Sequence, residues 1–303
     1  MSDSFPYRDD ELYCEDIPVQ TLADEYGTPL YVYSEQHFLD RYRALDEVLE
    51  PVDHLICFAM KCNGNLAVLN SMAEAGCGFD IVSGGELRRV KKAGGDPSKV
   101  VYAGVAKTRE EQQLALESGI YMFNVESMPE LQQLNEVAGE LSKQARVAFR
   151  VNPDVDAKTH DKITTGKKEN KFGIPIVNLE EYVEEASQLE NIDFKGLHFH
   201  IGSQITQIEP FEEVVRKATN VIDRLRNDGY VIETLNLGGG LGIRYKDETP
   251  LTPQQWADVV VPAIEDLNVK LIIEPGRFIM GNAGILVTET IYIKESVTKD
   301  FVV

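Results

Sequence analysis

The chain has 303 residues, with 30 Lys plus Arg against 50 Asp plus Glu and a formal charge of −20. That balance argues against a nucleic-acid partner, whose affinity rests on cations that neutralise phosphates, and no apolar run approaches the ~18–20 residues needed to span a bilayer. With 43% apolar and 26% charged residues the composition is globular, and the length suits two average domains or one large barrel.

The amino terminus, MSDSFPYRDDELYCEDIP, lacks the basic-then-apolar order of a secretory signal, so a cytoplasmic protein is expected. The surplus acid reads as a solvated surface that keeps the protein dispersed; a salt-adapted host or a cationic partner is the other reading. Cys14, Cys57, Cys62 and Cys77 form no C-x-x-C pair and have no His at zinc-ribbon spacing. They are expected as free thiols in or near the core.

Along the chain, short apolar and β-branched runs predict strands at Leu55–Ala59, Gly78–Val82, Val100–Ala103, Tyr121–Val125, Ala145–Val151, Lys195–Ile201, Thr234–Leu237 and Lys270–Glu274. Helical patterns lie between them at Gly85–Ala93, Arg109–Ser118, Met128–Leu141, Leu179–Leu189, Phe211–Asn227 and Pro253–Leu267. Ser83, Thr108 and Ser127 stand ahead of Glu-bearing first turns, where a hydroxyl caps free N–H groups and a carboxylate favours the helix dipole. Gly76, Gly94 and Gly119 close helices before the next strand. Strands alternating with helices in this number predict an α/β fold, a (β/α)8 TIM-like barrel; a doubly wound open sheet is the alternative. The polar connection 152–178 is long enough that it is expected to be either functional or disordered. Beyond residue 280 apolar and polar residues alternate, as in exposed antiparallel strands of a second, all-β unit.

Lys61, Asp80, Ser83, Glu86, Arg150, His198, His200, Gly238–Gly240, Glu274 and Arg277 all fall at or just past carboxyl ends of the expected strands. In a barrel, the loops at that end converge on one mouth. Lys61, in FAMKCNGN, would lose solvation on an apolar rim, drop its pKa and become an amine nucleophile; otherwise it is a solvated strand-end lysine. Gly238, Gly239 and Gly240 would let backbone N–H groups approach an oxyanion, or simply form a tight turn. The dinucleotide fingerprint fails, because Ile243 stands where its third glycine belongs. Glu274 closes the apolar run KLIIE and needs a cation or N–H partner. Arg277 supplies either that ion pair or a bidentate grip on a carboxylate or phosphate. His198 and His200 share a strand face. An H-x-H pair there suggests a metallohydrolase, but His37, His54 and His160 lie at no strand end and the further ligands are missing, so no metal is expected. One imidazole then suits the face of a conjugated ring, with Ser203 donating to a phosphate.

Together, FAMKCNGN, GFDIVSGGEL, HFHIGSQ, LNLGGGLGI and EPGRF resemble, in order and spacing, the motifs of the pyridoxal-phosphate (PLP) decarboxylases of the alanine-racemase-like fold. Within that family, TTGKKENKFGI and HIGSQI are most like members that convert meso-2,6-diaminopimelate to lysine and carbon dioxide. Relatives acting on ornithine, arginine or a carboxylated polyamine usually differ in these stretches. The resemblance implies that Lys61 carries the cofactor covalently, His200 stacks on its ring and Glu274 pairs with the ring nitrogen. It implies Ser203, Gly238, Gly239, Gly240 and the Gly276-Arg277 backbone on the phosphate, Asp80 and Glu86 beside the lysine, and Arg150 beside the ring. Arg277 would also meet a substrate carboxylate.

It further implies residues 1–27 as a first piece of a β-domain, 28–280 as the PLP-binding barrel, and 281–303 as the start of the same β-domain. In the family that domain carries a Cys-Glu pair and a Tyr that complete a neighbouring subunit's site, implying a homodimer with shared active sites in the full-length form. As it stands, the chain is expected to bind PLP but decarboxylate poorly, with an apolar patch exposed where that domain packs. A non-catalytic PLP-binding barrel is the remaining alternative.

Overall fold

The structure is a computed structural model and describes residues 4–157 and 171–303. Eight parallel strands form its centre: β1 (His54–Ala59), β2 (Gly78–Ile81), β3 (Val100–Tyr102), β4 (Met122–Val125), β5 (Ala145–Asn152), β6 (Ile192–His198), β7 (Thr234–Asn236) and β8 (Lys270–Ile273). Each pairs with the next, and β8 pairs back on β1 with Leu271 opposite His54 and Ile273 opposite Ile56. The ring closes, so the sheet is a barrel and has no open edge. The doubly wound alternative is excluded.

Helices α1 (Glu35–Leu49), α2 (Leu66–Glu74), α3 (Gly84–Lys92), α4 (Arg109–Ser118), α5 (Met128–Glu140), α6 (Leu179–Ser187), α7 (Glu209–Asn227) and α8 (Pro253–Ile264) surround it. Ser83, Thr108 and Ser127 cap α3, α4 and α5 by accepting the N–H three residues on, in the first turn, as expected, Thr108 within a full capping box with Glu111. Helices α1 and α2 are additions to the sequence reading. Phe38, Tyr42, Leu45 and Leu49 form the buried stripe of α1, which packs against α8 and α2 and so fills the eighth helical place from ahead of β1. β6 runs Ile192–His198 rather than to Ile201. It begins early because Asp193 and Lys195 keep their charged ends in ion pairs at the barrel foot, and it stops where the chain turns through Gly202.

Alternation along the strands sorts side chains to two sides. Phe58, Phe79, Phe123, Phe149 and Leu235 face the helices in one large apolar cluster. Cys57, Val101, Met122, Ala148 and Ile272 take the opposite positions and fill the barrel with a second, smaller one. One further inward step towards the carboxyl ends, the residue type changes. Asp80, Asn124, Arg150, His198, Asn236 and Glu274 stand there, all buried. A barrel plugged below by apolar side chains thus presents a polar floor to its upper mouth. Cys14, Cys57 and Cys77 are buried free thiols, while Cys62 is exposed.

At the ends of the chain, Leu30–Tyr33 pairs antiparallel with Gly284–Val287, and short antiparallel pairs join Tyr7–Arg8 to Glu11–Cys14 and Ile293–Lys294 to Phe301–Val302. No helix among the described residues is long and apolar enough to cross a membrane.

Candidate active site

Above the polar floor lies a cavity of about 390 Å3 walled by Lys61, Cys62, His200, Ser203, Gly239, Gly240, Tyr245, Glu274, Gly276 and Arg277, among others. That volume falls in the ~300–1,000 Å3 range of small-molecule sites. Asp80 and Arg150 stand behind this wall.

Lys61 leaves β1 on a single helical turn, Met60–Cys62. Its Nζ donates to Asp80 Oδ2 at 3.2 Å, and its side chain remains 53% exposed. The sequence reading expected desolvation to lower this amine. The structure reverses that: the Asp80 carboxylate outweighs desolvation and raises Lys61 above the ordinary lysine value. Burial pushes Asp80 up to about 7, against the pull of Lys61. Asp80 Oδ1 has no protein partner among the described residues. Glu86 turns elsewhere: its carboxylate accepts the Val82 N–H at 2.6 Å, at the start of its own helix.

Glu274 follows β8. Asn124 and Asn236 both donate to its Oε1, at 3.2 and 2.7 Å. His198 Nε2 lies 3.3 Å from its Oε2, near enough for an ion pair although too poorly aligned for a hydrogen bond. Burial alone would raise this carboxyl; His198 and Lys61 together outweigh it and hold Glu274 well below the usual carboxylate range. Glu274 is therefore a buried carboxylate kept ionised. Of the two alternatives for Arg277, the ion pair with Glu274 does not form among the described contacts. Arg277 instead donates through Nε to Ser203 Oγ at 3.0 Å and through Nη1 to the Tyr245 hydroxyl.

His200 lies just beyond β6, two residues from His198. Its Nδ1 accepts the Gly239 N–H at 3.1 Å, which requires that nitrogen to be unprotonated. Burial first, then the fields of Arg150 and Lys61, push its pKa well below the ordinary histidine value. It is a neutral imidazole with its proton on Nε2. Arg150 is held by Glu126 Oε1 at 3.1 Å and lies over the Phe172 ring, 4.7 Å from its centre. Of the stretch TTGKKENKFGI, residues 164–170 lie outside the described residues.

The glycine run is shaped by its neighbours. Gly238 has φ +65°, and a Cβ there would sit 2.6 Å from His200 Nδ1; a Cβ on Gly239 would sit 2.4 Å from the Glu274 carbonyl oxygen. Neither position can carry a side chain. The N–H groups of Gly238 and Gly239 are already used, by Asn236 Oδ1 and His200 Nδ1. Among the described residues no acceptor is found for the N–H groups of Gly240, Gly276 or Arg277, all on the cavity wall.

Residues 35–281 match the family model described as pyridoxal-dependent decarboxylase, pyridoxal binding domain. The diaminopimelate decarboxylase of Pseudomonas aeruginosa is 48% identical over 99% of this chain and 72% of its own length. The chain belongs to the diaminopimelate decarboxylase family of pyridoxal-dependent decarboxylases. Two solved members of the family, each complexed with L-lysine, superpose closely. That from M. jannaschii has a TM-score of 0.92 at 38% identity, covering 98% of this chain and 72% of its own. That from Helicobacter pylori has a TM-score of 0.90 at 35% identity, covering 94% and 72%.

The residues present fit the family's cofactor, pyridoxal 5'-phosphate. Three open N–H groups and the Ser203 hydroxyl make an anion cradle, an ionised carboxylate waits in a buried place, and one primary amine opens into the same cavity. Sequence reasoning missed Asn124, Asn236, Glu126 and Tyr245. The first two were detectable as polar residues at inward positions, in the same alternate rows as Met122 and Thr234.

Proposed function

We propose that the protein decarboxylates meso-2,6-diaminopimelate to L-lysine and carbon dioxide, the last step of lysine biosynthesis. The observation that carries the reading is the convergence on one cavity of the Lys61 amine, the ionised Glu274 and the open N–H groups of Gly240, Gly276 and Arg277. The lysine held by both solved relatives is the product this reaction yields.

In this reading Lys61 is the point of covalent attachment, and Asp80 orients it and takes up its charge. Ser203, Gly240, Gly276 and the Arg277 N–H hold the phosphate, while Gly238 and Gly239 serve by leaving room. His200, being neutral, suits the face of a conjugated ring, with Arg150 beside it. Glu274 keeps a proton on the ring nitrogen, because an ionised carboxylate favours a protonated partner. When bound, the cofactor draws off the electron pair left as carbon dioxide departs. The Arg277 guanidinium, steadied by Ser203 and Tyr245, meets a carboxylate of the substrate. Residues 28–280 form the cofactor-binding barrel and 1–27 and 281–303 parts of an all-β unit, of a cytoplasmic protein whose full-length form is a homodimer with shared active sites.

Product analysis with added pyridoxal phosphate tests the reading. Lysine and carbon dioxide from diaminopimelate are expected. Turnover of ornithine, arginine or a carboxylated polyamine in its place would transfer the enzyme to that substrate, and cofactor binding without turnover of any of them, even in a chain extended through a complete β-domain, would leave a non-catalytic barrel.

A further inference from the structure

Asn236 stands at the end of β7, 1% exposed, opposite His198 of β6 and Ile272 of β8 in the strand registers. Its side chain has two partners that belong to different parts of the site. The carboxamide oxygen accepts the Gly238 N–H at 2.8 Å. The carboxamide nitrogen donates to Glu274 Oε1 at 2.7 Å. The Glu274 N–H, in turn, donates to the Gly238 carbonyl at 2.8 Å. Two hydrogen-bonded links thus run between the glycine run and the buried carboxylate, and Asn236 is the side-chain one.

We propose that Asn236 is a positioning residue that couples the phosphate end of the cofactor site to the ring-nitrogen end, so that ordering the glycine run also sets the Glu274 carboxylate. The inference rests on the reading that Gly240, at the end of this glycine run, receives the phosphate and Glu274 the ring nitrogen. The chemistry of the side chain is specific. A carboxamide presents an acceptor and a donor on one planar group. Aspartate would keep the acceptor but bring a second negative charge to Glu274 in place of the donor. Alanine would leave the Gly238 N–H and one lone pair of Glu274 without partners in a buried place, which is costly.

Asn124 is the natural control. It donates to the same Glu274 oxygen, at 3.2 Å, from β4 on the other side of the barrel, and it makes no hydrogen bond to the glycine run. Removing it weakens the hold on the carboxylate alone.

The test compares binding of pyridoxal 5'-phosphate with binding of pyridoxal, which lacks the phosphate, by absorbance titration of the full chain. The ratio of the two affinities isolates the phosphate contribution from any general loosening. Asn236→Ala is expected to lower that ratio roughly ten-fold, the scale of one lost buried hydrogen bond. Asn124→Ala is expected to weaken both compounds equally and leave the ratio at its wild-type value. An Asn236→Ala protein with the wild-type ratio overturns the inference. A wild-type ratio near one instead overturns the phosphate reading beneath it. Should Asn236→Ala fail to fold, Asn236→Asp decides the matter. Its pyridoxal affinity, measured against wild type at each pH, should recover as the pH is lowered and the new carboxyl gains a proton to donate to Glu274; a deficit unchanged with pH overturns the coupling.

Discussion

Lys61 and Asp80 come from the ends of adjacent strands and meet at 3.2 Å, the amine open to the cavity and the carboxylate sealed beneath it. Each depends on the other for its charge. The carboxylate is the largest influence raising Lys61, and the amine is the largest influence opposing the burial that raises Asp80. Replacing Asp80 by Asn removes the charge and keeps the volume. Desolvation then dominates at Lys61, so its pKa falls. Acylation of Lys61 in the cofactor-free protein, followed by peptide mass across a pH series, should show its midpoint move to lower pH; an unmoved midpoint would mean the carboxylate does not govern this amine.

Lys61→Ala should abolish the pyridoxal phosphate that borohydride fixes to the wild-type chain. The thermal midpoint should stay nearly unchanged, since a half-exposed side chain at a cavity rim adds little packing. Cofactor fixed at an unchanged peptide in the variant would sink the assignment of this lysine.

Glu274→Gln retains size and one hydrogen bond but loses the charge held ionised by His198 and Lys61. Turnover is expected to fall by several powers of ten, each corresponding to about 1.4 kcal/mol of barrel-bound transition-state stabilisation, while cofactor affinity falls modestly. Steady-state rates beside a binding titration check the split, and equal turnover in the two proteins would refute the role.

His200 carries a pH signature. Its pKa is depressed in the folded chain, chiefly by burial, against about 6.5 when unfolded. Below about pH 6.5 the unfolded chain therefore binds a proton that the folded chain refuses, and stability rises with pH through that window. The contribution is fully present above about pH 6.5 and is lost as the pH falls. His200→Asn keeps an acceptor for the Gly239 N–H and cannot titrate. Urea unfolding of the cofactor-free proteins between about pH 5 and pH 7 should show a shallower loss on acidification in the variant.

Lys107 tests the polar floor from outside the cavity. Its ammonium group, 1% exposed, donates to Glu130 at 2.6 Å and to the carbonyls of Gly104 and Asn124. Lys107→Met leaves Glu130 buried without its cation, which costs about 3–5 kcal/mol. Denaturant unfolding measures it, and a loss under about 1 kcal/mol would place that pair among the weak surface bridges.

The barrel was legible because its strands are short β-branched runs with capped helices between them; seven of the eight strands lie within about a residue of where those runs place them. β6 shifted because Asp193 and Lys195 look like loop residues until their partners across the barrel foot are known. Helix α1 has a clear Phe38–Tyr42–Leu45–Leu49 stripe, but nothing local says that a helix ahead of β1 belongs to the ring. In the site, Lys61, His200, Glu274 and Arg277 were legible as unusual residues at strand ends. Their partners were not. Asn124 reaches Glu274 across 150 residues of chain, a contact that exists only once the barrel is closed. The direction of the Lys61 shift was lost for the same reason, since it is set by Asp80 on the next strand.

The place of α1 has a consequence for how the chain is made. Synthesis delivers this helix early, and β1 and α2 follow at once, yet its other two neighbours, α8 and the short helix Arg277–Met280, are translated near the end of the barrel. At about 5–20 residues per second the stripe waits on the order of tens of seconds on the ribosome. During that interval Phe38, Tyr42, Leu45 and Leu49 form the stretch a chaperone would hold, and a ribosome stalled short of β8 would release a sticky, unclosed intermediate. The first long helix to emerge is among the last to be seated.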